Sequence, residues 1–242
     1  MKILTFSRRT AKEILRDPLN LAFGLGFPII LLVLLSLIQK NAPVSIFEIS
    51  RITPGITVFG LSFMTLFSAT VIAKDRGGCL LQRLYATPMT AVDFIIGYTL
   101  PLIPISAAQS IICYAGALLL GLTPTVNILY AVLSILPLSL LFISLGLLCG
   151  SVFTDKQVGG ICGALLTNLS AWLSGTWFDL ELVGGTFQKI ACVLPFFHAT
   201  EMERAILSGN FAAVTPHLVW VLGYTAAITA AAVFLFLRQM KN

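Results

Sequence analysis

Charge is what this sequence has least of. Asp, Glu, Lys and Arg make up 10% of its 242 residues, where a soluble domain carries roughly 25%. Hydrophobic residues make up 57%, and the mean hydropathy is +0.96. This excludes a soluble globular domain and predicts an all-α integral membrane protein. The chain also lacks a phosphate-cradling loop. It has no GxxxxGK[ST] pattern and no Gly-Lys dipeptide, so it offers ATP no binding loop of the usual kind. Two histidines, His198 and His217, are too few for a histidine-based metal centre. The five cysteines (Cys79, Cys113, Cys149, Cys162 and Cys192) form no CxxC pair, and four lie in or beside apolar runs. They read as small apolar residues rather than as a metal site or a disulfide framework. A net charge of +5 in so apolar a chain points to cytoplasmic loops and anionic lipid, not to nucleic acid.

What is present is a series of long apolar runs. A span needs about 20 mostly apolar residues, and six are predicted, near 20–38, 54–73, 94–119, 128–152, 158–178 and 217–237. Pro28, Pro101, Pro104 and Pro137 fall inside them as expected bends. The stretch 179–216 is partly apolar but interrupted by Gly184, Gly185, Pro195, Gly209 and Pro216. Two short helices that dip into the membrane and return, buried against the rest of the chain, fit it. The whole chain, 1–242, reads as a single transmembrane domain.

Lys and Arg set the expected orientation. Lys2, Arg8, Arg9, Lys12, Arg16, Lys74, Arg76, Arg83, Lys156, Arg238 and Lys241 fall on one side of the spans. Only Lys40, Arg51, Lys189 and Arg204 fall on the other. The positive-inside rule then puts both termini in the cytoplasm. The first apolar run is too long for a signal-peptide core, and no small-x-small cleavage site follows it. Before it, Ile3, Leu4, Ala11, Ile14 and Leu15 share one helical face, while Arg8, Arg9, Lys12 and Arg16 face away. This predicts an interfacial helix over 1–18, ended by Asp17-Pro18.

No Asp, Glu, Lys, Arg or His lies deep inside any of the six predicted spans, where ion-coupled transporters place such groups. The charged insert between the second and third spans, at 74–93, stands out against this background. In "AKDRGGCLLQRLYATPMTAVDF", Leu80, Leu81, Leu84 and Tyr85 share one helical face, and Thr87-Pro88 ends the helix. Such a helix can dock in a groove on a soluble partner or lie on lipid headgroups. Its charge does not separate the two.

"KDRGGCLLQRLYATP" resembles the cytoplasmic loop of the ABC type-2 permease family, the membrane subunits of ATP-driven exporters. Asp75, Arg76, Leu81, Arg83, Leu84, Thr87 and Pro88 carry the match. With Arg83 aligned, the family's usual glycine falls on Cys79 and its frequent acidic residue on Gln82. "KEILRDPLNLAFGLGFPIILLVLL" resembles the family's elbow helix, its Arg16-Asp17-Pro18 break and first span. "LPFFHATEMERAILSGN" resembles its stretch before the last span through Pro195, His198, Arg204, Leu207 and Gly209. The three stretches occur in the family's order on a six-span topology.

The resemblance implies a non-catalytic permease subunit of an export complex in the bacterial cytoplasmic membrane. Two copies of an ATPase would supply ATP and Mg, and a second permease chain, identical or homologous, would complete the path. The insert would be a coupling helix. Leu80, Leu84 and Tyr85 would pack in the ATPase groove, and Asp75, Arg76 and Arg83 would set register. Phe59, Phe63 and Phe67, at i, i+4 and i+8, either line an apolar substrate path or pack as ordinary aromatics. A path without charge suits a drug, antibiotic, lantibiotic or lipid-like molecule and would place the complex among the multidrug or antibiotic resistance exporters; polysaccharide export stays open. The alternative is a secondary transporter or channel without an ATPase partner. A membrane enzyme is a third reading, but it needs a cluster of Asp, His or Ser at the interface, and none stands out.

Overall fold

The computed structural model describes residues 2–41, 47–78, 80 and 89–241. They are helical almost throughout and contain no strand. A first helix, α1 (Lys2–Leu15), is followed by α2 (Pro18–Asn41), α3 (Ile49–Gly77), α4 (Ala91–Leu119) and α5 (Asn127–Val152). A helical stretch over 155–173, α6, follows. Next come α7 (Leu180–Val183), α8 (Gly185–Val193), α9 (Pro195–Ser208) and α10 (Phe211–Lys241). Among the described residues five helices, α2 to α5 and α10, are long and apolar enough to cross a membrane. α6 lies at the predicted fifth span but is more polar, with Asp155 and Lys156 in its first turn and Thr167, Asn168 and Ser170 further on. It gives way to turns and bends over 174–178.

α3 is the axis of the bundle. Its most apolar stretch is 94% buried inside the chain, against 28% for α2 and 11% for α10. Two glycines on α5 bring α5 closest to it. A Cβ on Gly146 would stand 2.6 Å from the Thr65 carbonyl oxygen, and one on Gly150 would stand 2.8 Å from that of Ala69. Gly146 and Gly150 form a GxxxG pair, the spacing that lets two membrane helices approach at backbone contact. Thr65 Oγ1 then reaches across to donate to the Phe142 carbonyl at 2.7 Å. Gly150→Leu should therefore push α5 off α3. Overpacking costs about 1–3 kcal/mol even where side chains can yield, and here the obstacle is backbone. The expected result is a large drop in the thermal unfolding midpoint of the detergent-solubilised chain. Gly116→Leu on α4 is the control, because a Cβ there meets nothing nearer than 3.8 Å.

Prolines and glycines shape the remaining elements. α2 opens with Asp17 as N-cap, its carboxylate accepting from the Asn20 amide at 3.2 Å, and Pro18 in the first turn. It then runs through one wide π-type stretch, Ala22–Gly26, immediately before Pro28. Pro28 has no N–H to offer Gly24, so the ladder changes register there. α4 is interrupted at Leu100 and Pro101. α5 continues unbroken through Pro137. α9 starts with Pro195 in its first turn and stops at Gly209, whose φ of +80° closes the last turn. Pro216 does not stop α10, which begins at Phe211 rather than near 217. The segment 179–216 thus holds α7, α8 and α9, with α9 packed against α3, α5 and α10.

Candidate coupling site at the root of the 79–88 loop

α3 ends at Gly77, and its last turn carries Lys74, Asp75 and Arg76. Asp75 is 3% exposed. Both guanidinium nitrogens of Arg9 on α1 donate to its carboxylate, Nη2 to Oδ1 at 2.6 Å and Nη1 to Oδ2. Tyr98 on α4 donates its hydroxyl to Oδ2 at 2.8 Å. Arg9 also pairs with Glu13 one turn along α1, at 2.6 Å. Burial, then the Asp75 charge, raise the Glu13 carboxyl above the usual range, while Arg9 and Lys74 oppose the shift. Lys74 stands 4.0 Å from Asp17 at the α1–α2 joint.

Arg76 points the other way, to the end of α5. Its guanidinium donates to the carbonyls of Ser151 and Phe153, the latter at 2.5 Å. The last carbonyls of a helix have no intrahelical partner and carry the negative end of its dipole, so a cation there satisfies both demands. One turn of α3 therefore fastens three other helices: α1 and α4 through Asp75, and α5 through Arg76. An aromatic wedge strengthens the first joint. Phe6 of α1 meets Phe94 and Tyr98 of α4 edge-on, with ring centroids 5.7 and 4.9 Å apart, and its ring lies over Gly97, where a side chain would not fit.

The buried face of α1 is Phe6, Ser7, Thr10 and Ile14. It is rotated from the predicted apolar face. Leu4 and Leu15 remain 71% and 62% exposed beside the exposed Arg8, Lys12 and Arg16. Phe6 and Thr10 are drawn in because α4 supplies the matching surface, which periodicity along α1 alone does not reveal.

Past the loop, α4 begins with a capping box. Asp93 accepts from the Thr90 amide at 2.7 Å, and Thr90 Oγ1 accepts from the Asp93 amide at 3.3 Å. Asp93 is therefore the cap of α4 and not only one of the insert's charges, and Thr-x-x-Asp ahead of an apolar run is the sequence signature of that role. Leu80 is helical and partly buried. Arg83, Leu84, Tyr85, Thr87 and Pro88 lie outside the described residues.

The other predicted residues fall elsewhere. Arg16 is exposed on the last turn before the Asp17-Pro18 break. Phe59, Phe63 and Phe67 are all buried inside the chain. Phe59 and Phe63 pack on Phe27 of α2 with centroids 6.1 and 6.3 Å apart, Phe59 also meets Trp177, and Phe67 covers Gly24. Arg204 lies toward the other end of α3, donating to the Arg51 carbonyl at 3.4 Å, and Pro195 and His198 lie further back along α9, where Phe196 packs on Phe142 of α5. Nδ1 of His198 is hydrogen-bonded to Nδ1 of His217 on α10 at 2.8 Å, and the His198 ring stacks on Trp220. Burial, then His217, lower the His198 pKa. Arg204 bonds Glu201 at 2.7 Å and the Gly175 carbonyl at 2.9 Å, beside an ion pair between Arg51 and Asp179. Glu203 on α9, which no sequence pattern singles out, is fully buried. Among the described residues, no group of three His, Cys, Asp or Glu is placed to hold a metal ion.

The family model described as ABC-2 type transporter matches residues 1–208, from α1 through α9. No curated protein matches the chain.

Proposed function

The chain belongs to the ABC-2 type transporter family, and from that premise we propose that it is the permease subunit of an ATP-driven exporter of a hydrophobic or amphipathic molecule. The observation that carries the reading is the fastening of α3 just before the 79–88 loop, with Asp75 and Arg76 holding α1, α4 and α5 to one turn. A loop on a free hinge absorbs a push. A loop rooted in a four-helix joint delivers it to the bundle. In this reading Leu80, Leu84 and Tyr85 dock in an ATPase groove and Arg83 meets a charged partner there. Thr87 and Pro88 end the docking helix. Asp75 and Arg76 act inside the permease, passing the movement on rather than touching the ATPase.

α1, with Leu4 and Leu15 exposed beside Arg8, Lys12 and Arg16, lies in the cytoplasmic headgroup layer. Both termini are cytoplasmic, α6 completes six spans, and a second permease chain completes the path, in a bacterial cytoplasmic membrane. ATP and Mg are held by two partner ATPase subunits. Phe59, Phe63 and Phe67 reach a substrate if α2 moves away from α3, since α2, joined by Trp177 at Phe59, covers them.

Cys192 on α8 gives a built-in reporter at the far end. It is half-buried, while Cys113, Cys149 and Cys162 are buried. In a Cys79→Ser background, the chain co-expressed with its ATPase and reconstituted in liposomes should show ATP-dependent labelling of Cys192 by a membrane-impermeant maleimide. The chain alone should neither bind ATP nor respond to it. Nucleotide binding by the isolated chain would contradict the partner-ATPase reading, and a labelling change driven by a proton or sodium gradient without ATP would support the secondary-transporter alternative.

A further inference from the structure

Glu203 is 0% exposed and makes no ion pair among the described residues. It sits on α9 between two membrane helices. From α4, Tyr114 donates its hydroxyl to Oε2 at 2.7 Å. From α5, Ser134 Oγ touches Oε1. The same Ser134 Oγ stands 2.7 Å from the Ala131 carbonyl oxygen. A serine hydroxyl has one proton to give. If that proton goes to Ala131, the contact with Glu203 holds only if the acid supplies a proton of its own. All contacts are then satisfied in one chain: Tyr114 O–H to Oε2, Oε1–H to Ser134 Oγ, Ser134 O–H to the Ala131 carbonyl. A carboxylate in the same place would draw the Ser134 proton away from Ala131 and, though hydrogen-bonded, would leave a buried charge with no counter-charge.

We propose that Glu203 is a proton-binding site: as a neutral carboxylic acid it latches α9 onto α4 and α5, and loss of the proton loosens α9.

The surroundings support this. Burial pushes the Glu203 carboxyl up to about 7 even when Ser134 and Tyr114 both donate to it and oppose the shift; with Ser134 turned to the Ala131 carbonyl, its opposition falls away. No charged group takes part. α5 and α6 present no charge toward it: α5 contains no Asp, Glu, Lys, Arg or His, and those of α6 are confined to Asp155 and Lys156 at its first turn. From α3, Arg51 is paired with Asp179. From α10, His217 is bonded to His198. Lys189 on α8 is not among the groups acting on Glu203. On α9 itself, Arg204 is bonded to Glu201 and the Gly175 carbonyl. From α4, Cys113 adjoins Tyr114 and is bonded by Gln109 at 3.2 Å. The sign follows. The folded chain keeps this proton up to about pH 7, while the unfolded chain releases it near the ordinary glutamate value of about 4.3. The latch's contribution to stability is full below that value, declines as pH rises through the window, and is gone above about 7.

The test uses the full chain in lipid nanodiscs, titrated from about pH 5 to about pH 9, a range that lies above the ordinary carboxyl value and brackets the raised one. Infrared difference spectra should show a protonated carboxylic-acid carbonyl band that disappears with a midpoint near 7 and is absent from Glu203→Gln. Protection of the α9 amides, taken relative to their intrinsic exchange rate at each pH, should fall through the same midpoint in the native chain. In Glu203→Gln, whose amide imitates the neutral acid, that protection should stay high throughout. Tyr114→Phe removes a donor to the ionised form and should move the midpoint to higher pH. If Glu203→Gln fails to fold, the native band together with the Tyr114→Phe displacement decides. Absence of a band titrating near 7, a midpoint that Tyr114→Phe leaves in place, or identical pH-dependent exchange in Glu203→Gln and the native chain would each overturn the proposal. None of these readings depends on an ATPase, so failure here leaves the exporter assignment untouched.

Discussion

Arg9→Ala should be among the most damaging single substitutions at the elbow end, more so than Asp75→Ala. The two residues form one ion pair, but their surroundings differ. The Arg9 side chain is 38% exposed and keeps Glu13 as a second partner, whereas Asp75 is 3% exposed. Removing Asp75 leaves a cation that solvent and Glu13 can serve, and takes away the Tyr98–Asp75 hydrogen bond. That is a loss of about 1–3 kcal/mol. Removing Arg9 leaves a buried carboxylate served by Tyr98, and breaking a buried pair from that side costs about 3–5 kcal/mol. The double variant Arg9→Ala/Asp75→Ala has no orphaned charge and should be more stable than Arg9→Ala alone. Thermal unfolding of the four chains in detergent gives the coupling energy directly. Additive effects would show that the pair is not a joint.

Leu84→Asp and Arg83→Glu are expected to release the ATPase while the permease stays inserted. A buried leucine or aromatic anchor is worth about 2 kcal/mol or more when truncated at an interface. Removing one partner of a desolvated charge pair costs about 2–5 kcal/mol. Either loss lowers affinity by tenfold or more, since about 1.4 kcal/mol is a factor of ten. If the loop instead lay on lipid headgroups, both variants would retain the ATPase, because the transmembrane helices already hold the chain in the membrane. Co-purification of tagged permease with the ATPase separates the two outcomes.

The helices were legible because apolar runs of span length have few other physical solutions. The limits of α9 were legible too, from Pro195 and Gly209, whose backbone chemistry acts locally. Long-range partners were not. Arg9 and Asp75 are 66 residues apart, and nothing in either segment names the other. The sequence therefore let Asp75 and Arg76 pass as surface charges for a partner, when both are engaged inside the chain. Phe59, Phe63 and Phe67 were ambiguous for a related reason. A lipid-facing stripe and a core stripe have the same composition, and only the central position of α3 separates them. Glu203 escaped notice because it lies in a short helix between a proline and a glycine, outside every apolar run. Its burial is a property of the packed bundle.

The central claim is that movement entering at the loop reaches the bundle through the end of α3. The most direct test is ATP-dependent labelling of Cys192 in the permease–ATPase complex carrying Arg9→Ala/Asp75→Ala, compared with the same complex without these changes. The predicted result is that the ATPase remains bound and hydrolyses ATP, while the labelling change that ATP produces in the native complex is lost. A labelling change equal to the native one would contradict the account, because the far end would then be moving without the joint.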